Sequence, residues 1–340
     1  MNSYERVMNR LQGKPVDRVP NFDIIMGFGA HYVGATLSQY LLDHRYMVKS
    51  NLAMVSDFDI DILQTLTDPF RESVDFGLEV EFPEDGLPKR LRPLLAPGDD
   101  IKKVPRIDPG SGRRMSDRIE AVRMLHEQAN KIVPVMGWVE GAMAEANDLL
   151  GDSTMMVTLY DAPEWLTALM ERITEVEIAF ARIQIDAGAD IIGLGDAIAS
   201  VVSPRMYRQF ALPYEKRIFE AVHEKGALAR LHICGNTSKI LPDMLESGAD
   251  FIDVDWMVDY ARAAEIFGEK AGLVGNFDPV SVMCWGGDQT IESAALHCLN
   301  VGGSRSFSAA GCEIPDGTPA QNIHAHARFL REIGNSPKAK

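Results

Sequence analysis

His232 and Cys234 stand two apart in the run Leu231-His232-Ile233-Cys234-Gly235-Asn236. If that run ends a β-strand, alternation places both side chains on one face, where an imidazole nitrogen and a sulfur can grip a single ion. A third donor of the same kind is Cys312, in Ser308-Ala309-Ala310-Gly311-Cys312. One His with two Cys suits Zn²⁺, which accepts nitrogen and thiolate together. Three protein ligands also leave a fourth position open, as catalytic rather than structural zinc sites do. A lone H-x-C pattern is weak, because a His or Cys in a strand is often packed core. Position strengthens it here: both segments run into turn residues, Gly235-Asn236 and Pro315-Asp316-Gly317.

For these donors to meet, the chain must bring distant strand ends to one place. Its second half repeats a unit in which an amphipathic stretch leads into Gly-Ala-Asp and then a short apolar run. One copy is Gly188-Ala189-Asp190 before Ile191–Asp196, and the other is Gly248-Ala249-Asp250 before Phe251–Asp255. Asp190 and Asp250 are 60 residues apart, the length of two βα units of about 30 residues each. Ala227–Cys234 supplies the strand between them. Pro163 opens a helix whose Leu166, Leu169, Ile173, Val176, Phe180 and Ile183 recur at steps of three and four, giving one apolar stripe.

Further strand candidates are Val19–Met26, Phe58–Leu66, Ile132–Trp138, Leu273–Asn276 and Ser304–Ala309, making eight in all. Eight strands alternating with helices predict an α/β fold, a (β/α)8 TIM barrel, in which the ends of strands five and eight open onto the same mouth. A doubly wound sheet is disfavoured, because no G-x-G-x-x-G turn follows the first strand. Residues 1–340 are read as one barrel domain, with an N-terminal helical extension over 1–18 and a Pro-, Gly- and charge-rich insertion after the second strand, over about 68–118.

Composition agrees with a single large core. The chain has 340 residues, 46% hydrophobic and 24% charged, which excludes a disordered or collagenous protein. Its 49 acidic against 34 basic residues give a formal charge of −15, so nucleic acid and anionic membranes are unexpected partners. Charges break every apolar stretch, and Met1–Pro20 lacks the apolar core of a signal peptide, so a cytoplasmic location is expected. Four cysteines in a reducing compartment favour metal binding or burial over disulfides. Cys284 and Cys298 lack the context of the other two and read as structural.

Other polar residues at expected strand ends are candidates for substrate contact. Glu140, after Trp138-Val139, would either fill the fourth metal position or simply hydrogen-bond a loop. Asp196 and Asn276 end strands four and seven and could orient substrate or the second nitrogen of a ligating His. Arg230 shares the face of His232 one layer deeper, where a carboxylate partner is a better expectation than a bound anion. His324 and His326, two apart on a C-terminal helix, cannot share a face and read as surface residues.

The opening Glu5-Arg6-Val7-Met8-Asn9-Arg10-Leu11-Gln12-Gly13-Lys14-Pro15-Val16-Asp17-Arg18-Val19-Pro20 resembles that of the uroporphyrinogen decarboxylase superfamily, in its corrinoid methyltransferase branch. The resemblance runs on through Gly195-Asp196, Ser203-Pro204, Pro213-Tyr214, His232–Asn236, Gly248–Asp250, Gly275-Asn276 and Gly311-Cys312, so it spans nearly the whole chain. It implies that His232, Cys234 and Cys312 match the zinc ligands of methylcobamide:coenzyme M methyltransferases. The Arg-rich loop with which decarboxylases hold porphyrinogen carboxylates is replaced here by Ile24-Ile25-Met26-Gly27-Phe28-Gly29, which argues against decarboxylation.

By that resemblance, the enzyme would move a methyl group between methylcobalamin on a partner corrinoid protein and a small thiol such as coenzyme M held as a zinc-bound thiolate. Alternatives are a substrate-specific enzyme that passes methyl from an ether, amine or alcohol to cob(I)alamin, or a uroporphyrinogen decarboxylase. A homodimer is implied by the family alone.

Overall fold

The computed structural model describes residues 1–334. Seven parallel strands run side by side in the order β1 (Leu63–Gln64), β4 (Val135–Glu140), β5 (Ile191–Gly195), β6 (Leu228–His232), β7 (Phe251–Asp253), β8 (Gly272–Phe277) and β9 (Ser306–Ala310). Two further short strands, β2 (Val80–Glu81) and β3 (Lys89–Arg90), form a separate antiparallel hairpin. The buried apolar side chains make one continuous cluster from Val7 to Ala325. No helix among the described residues is long and apolar enough to cross a membrane.

The eighth position is occupied without a regular strand. Phe22 N donates to Ser308 O (2.9 Å) and Ser308 N to Pro20 O (3.0 Å) on one side, while Asp61 N donates to Asn21 O (2.9 Å) on the other. Residues 20–22 therefore bridge β9 to the segment entering β1, and the sheet closes into a TIM-barrel-like fold. Only a single parallel bridge, Asn21 to Ser308, forms within the expected strand Val19–Met26. Pro20 has no N–H to give, and neighbouring side chains take other ladder positions: Asn21 Oδ1 accepts from Asp23 N (3.1 Å) and Asp23 Oδ1 from Ala310 N (2.8 Å).

The remaining strands lie within a few residues of their expected places, apart from β1. There the helix His44–Phe58 absorbs the first residue of the expected strand and ends on Asp59 in the left-handed conformation. The N-terminal helix spans Ser3–Leu11, capped by Asn2 with Glu5. Residues 71–103 hold the helix Arg71–Phe76, the hairpin and a 3₁₀ turn, and from Arg113 the chain is the ordinary crossover helix Arg113–Ala129.

The two Gly-Ala-Asp copies do the same structural work. Gly188 and Gly248 have φ of +113° and +88°, and the aspartates that follow reach across to cap adjacent strands. Asp190 Oδ2 accepts from Val135 N (3.0 Å) and Asp250 Oδ2 from Ala229 N (2.8 Å). Each carboxylate thus satisfies an orphan donor at the amino end of the barrel, away from the mouth. The helix Pro163–Asp186 buries Leu166, Leu169, Ile173, Val176 and Phe180 as its spacing predicts. His326 is a correction: its helix face turns inward, and the ring bonds Asp23 Oδ2 through Nδ1 (2.8 Å) and Ser308 Oγ through Nε2 (2.8 Å), whereas His324 is exposed. A spacing of two separates the histidines onto different faces, and one of those faces is core.

Barrel closure is locked by a fully buried carboxylate. Asp61 receives Arg6 Nη1 (2.7 Å), Arg18 Nη1 (2.6 Å), Ser3 Oγ (2.7 Å) and Asn21 N (2.8 Å), joining the N-terminal helix, the closing segment and β1. Asp61→Ala leaves two guanidinium groups without this partner. It is expected to destabilise the protein by about 3–5 kcal/mol, seen as a lower urea midpoint; an unchanged midpoint would contradict this role.

Candidate metal centre

In a parallel ladder, residues in register point the same way. Gly195, His232 and Asp253 are partners across β5, β6 and β7, and Glu140 pairs with Gly195 from β4, so all four stand at the carboxyl end of the barrel. Cys234 lies two residues past His232, and Cys312 two residues past the end of β9. The fold brings the three expected donors together: His232 Nε2 is 3.1 Å from Cys234 Sγ, Cys234 Sγ is 3.6 Å from Cys312 Sγ, and Cys312 Sγ is 3.9 Å from His232 Nε2. Around a tetrahedral zinc with bonds of about 2.3 Å to sulfur and about 2.1 Å to nitrogen, ligand atoms stand roughly 3.6–3.8 Å apart. The donor types suit that ion, and the two edges to Cys312 match its spacing, while the His232–Cys234 edge is shorter by about 0.5 Å.

Short-range packing sets each donor. The other nitrogen of His232, Nδ1, bonds Asp253 Oδ2 (2.7 Å), so Nε2 is the nitrogen aimed at the sulfurs. Asp253 is itself gripped by Arg230, whose Nε reaches Oδ1 (2.9 Å) and whose Nη2 reaches Oδ2 (2.9 Å). The expected internal partner of Arg230 is thus the residue that orients the histidine. The turn after Cys234 is held by Gly235 N donating to Asp255 Oδ2 (2.6 Å). Gly311 lets Cys312 approach: a Cβ there would stand 2.3 Å from the backbone nitrogen of Trp256.

Electrostatics follow the same chain. Burial alone would raise the Asp253 carboxyl, but Arg230, and then His232, outweigh it and hold it below its usual range. Burial opposes protonation of His232, yet the neighbouring Cys234 sulfur and the Asp253 hydrogen bond push its pKa up. The two thiols share what protons they have. The hydrogen bond from Cys234, with help from His232, drives Cys312 down to about 4, and Cys234 moves up in consequence. One sulfur is therefore already prone to be a thiolate.

The other candidates sit around this triangle with different surroundings. Glu140 is buried and is not among the groups close enough to share the ion. It accepts from Trp138 Nε1 (3.2 Å) and lies 4.0 Å from Arg71, and its Oε2 hangs over Gly195, where a Cβ would come within 3.2 Å. Asp196 is fully buried, and its pKa rises to about 7, chiefly from that burial. Asn276 is engaged structurally, its Nδ2 donating to Asp255 O (3.1 Å) and Val258 O (2.7 Å), which fastens the loop after β7. Cys298 is buried and Cys284 half-buried, both away from the triangle.

Sequence reasoning missed Asp253 and Asp255. A signal was present, since Asp253-Val254-Asp255 places two acids on one face at the end of a strand that follows the Gly-Ala-Asp repeat.

The family model described as uroporphyrinogen decarboxylase (URO-D) matches residues 2–333. A methylcobamide:CoM methyltransferase, MtbA, of Methanosarcina mazei is 29% identical over 325 residues, covering 94% of both chains. A second methylcobamide:CoM methyltransferase, MtaA of Methanosarcina barkeri, is 27% identical over 338 residues, covering 94% of this chain and 95% of its own. Among solved structures, a methyltransferase from Methanosarcina mazei superposes with a TM-score of 0.89 at 25% identity, covering 98% of this chain and 99% of its own.

Because Asp253 fixes the orientation and basicity of His232, Asp253→Asn is expected to lower Zn²⁺ affinity by about 10–100-fold. Competition against a chromophoric chelator measures this, and affinity equal to that of the unaltered protein would contradict it.

Proposed function

The chain belongs to the uroporphyrinogen decarboxylase family, and from that membership and the donor triangle we propose that it is a zinc-dependent corrinoid methyltransferase. In this reading a small thiol such as coenzyme M takes the methyl group of methylcobalamin carried by a separate corrinoid protein, leaving cob(I)alamin and the methyl thioether. The single observation that carries it is the convergence of His232 Nε2 with the sulfurs of Cys234 and Cys312 within 3.9 Å. Full-length relatives with methyltransferase names support the class of reaction.

His232, Cys234 and Cys312 would hold the ion. When bound, Zn²⁺ supplies the acidity that strips a thiol of its proton and keeps the sulfur as a nucleophilic thiolate at neutral pH. Asp253 keeps the His232 ring turned so that Nε2 faces the site, and Arg230 keeps Asp253 ionised. Two cysteine sulfurs and a neutral imidazole bring two negative charges against the two positive charges of the ion, so the assembled site is formally neutral before substrate arrives. Trp138, whose ring centroid is 6.2 Å from that of His232, walls the side facing β4. Asp196, Asn276 and Glu140 are proposed to border the substrate, Asn276 through the loop it anchors.

Decarboxylation is the weaker reading within the family. A polycarboxylate substrate calls for cationic groups at the mouth, and the stretch Ile24–Gly29 contributes none, while Glu140, Asp148 and Asp196 bring acids.

The test follows methylcobalamin absorbance in the presence of a thiol. The protein should carry about one zinc per chain and release cob(I)alamin with turnover. Cys312→Ala should keep its circular dichroism spectrum and lose methyl transfer by about 100-fold or more. A fully active Cys312→Ala protein would remove the proposal.

A further inference from the structure

Two of the three donors are also a matched pair of thiols. Cys234 Sγ and Cys312 Sγ, 78 positions apart in sequence, stand 3.6 Å apart in space, roughly 1.5 Å more than a disulfide bond. Both residues are half-buried, so a small oxidant reaches them, whereas Cys298 is buried and turns its sulfur to Asn276 Oδ1 (3.8 Å).

Protein contacts alone hold the two sulfurs side by side. Both cysteine segments lean on the same two residues of the loop after β7. Gly235 N donates to Asp255 Oδ2 (2.6 Å), and a Cβ on Gly311 would stand 2.3 Å from Trp256 N and 2.9 Å from Asp255 Cα. Asp255 is itself fastened: its carbonyl accepts from Asn276 Nδ2 (3.1 Å) and its Oδ1 from Trp256 N (2.7 Å). This loop is a template that presents the sulfurs to one another whether or not an ion is held.

Closing the remaining gap asks little of the fold. β6 ends at His232 and β9 at Ala310, so both cysteines lie past their strands. Adjusting their side-chain torsions brings the sulfurs together without breaking the sheet. His232 is kept in place by Asp253 and takes no part.

We propose that the donor triangle is also a thiol–disulfide switch, in which a peroxide closes an intramolecular Cys234–Cys312 disulfide and the closed form refuses Zn²⁺. One sulfur attacks a peroxide oxygen: an S–O bond forms, the O–O bond breaks, and the departing hydroxide takes the thiol proton and leaves as water. The other sulfur attacks the resulting sulfenic acid, so that S–S forms, S–O breaks and a second water carries off the remaining thiol proton. The sulfurs together give up two electrons and the peroxide gains them. A dithiol reductant returns both thiols and ends as its own disulfide. Disulfide sulfurs lack the negative charge that a thiolate offers Zn²⁺, which leaves His232 as the one donor of the three. The bridge needs only the sulfur pair; its consequence for catalysis rests on the methyltransferase reading, in which the acceptor thiol must meet a held ion.

The test treats the full-length purified protein with hydrogen peroxide in the presence of a chromophoric zinc chelator, followed by alkylation and digestion without reductant. The peptides bearing Cys234 and Cys312 should appear joined and lighter by two hydrogens, as free thiols fall from four to two per chain and zinc passes to the chelator. The bridged protein should take Zn²⁺ back more than about 100-fold more weakly than the reduced protein. Dithiothreitol followed by Zn²⁺ should restore both thiols and ion. Separate sulfinic acids with no joined peptide, a bridge to Cys284 or Cys298 or between chains, or unchanged zinc affinity of the bridged protein would overturn the proposal. Methyl transfer by a protein that forms no bridge removes this inference alone. A bridge that forms and expels zinc in a protein that transfers no methyl group keeps the switch and removes the methyltransferase reading.

Discussion

An imidazole nitrogen and two sulfurs cannot crowd within 3.9 Å of one another as three free lone-pair donors without a proton or a cation among them. The protein alone meets this demand by sharing protons, which is why Cys312 is driven down while Cys234 rises. A divalent ion meets it better, replacing shared protons by bonds to all three. The surrounding structure serves this arrangement: Asp253 and Arg230 fix the ring, Asp255 holds the turn after Cys234, and Gly311 admits Cys312 to the mouth. These are contacts between β6, β7 and the end of β9, so the site exists only when these strands are assembled in the sheet.

The two ends of the barrel divide the work between stability and chemistry. At the amino end, carboxylates are fully employed: Asp190 and Asp250 cap neighbouring strands, and Asp61 joins two arginines to the closing segment. At the carboxyl end, Asp148 and Asp196 are buried without such compensation, and their pKa values are raised accordingly. Buried acids lacking partners cost stability, so this cost is concentrated at the mouth of the barrel.

Much of this was legible in the chain itself. Alternation around His232 and Cys234 predicts their common face, the Gly-Ala-Asp repeat predicts the βα period, and the step-three-and-four spacing from Leu166 to Ile183 predicts a buried helix face, as found except that Ile183 is only half-buried. The closing segment was less legible. Val19–Met26 has strand composition, but Pro20 and the side chains of Asn21 and Asp23 divert the hydrogen bonds a strand would use. His326 was misread because helical spacing tells which residues share a face, not which face is buried. The pairing of Arg230 with Asp253 needed the register of β6 against β7, and register is a property of the assembled sheet rather than of either strand.

The most direct measurement is X-ray absorption at the zinc edge, recorded on the purified protein before and after adding coenzyme M. The account predicts a shell of two sulfurs at about 2.3 Å with nitrogen or oxygen completing it, becoming three sulfurs when the thiol is present. A zinc-free protein, or a shell whose sulfur number is indifferent to the thiol, would contradict it.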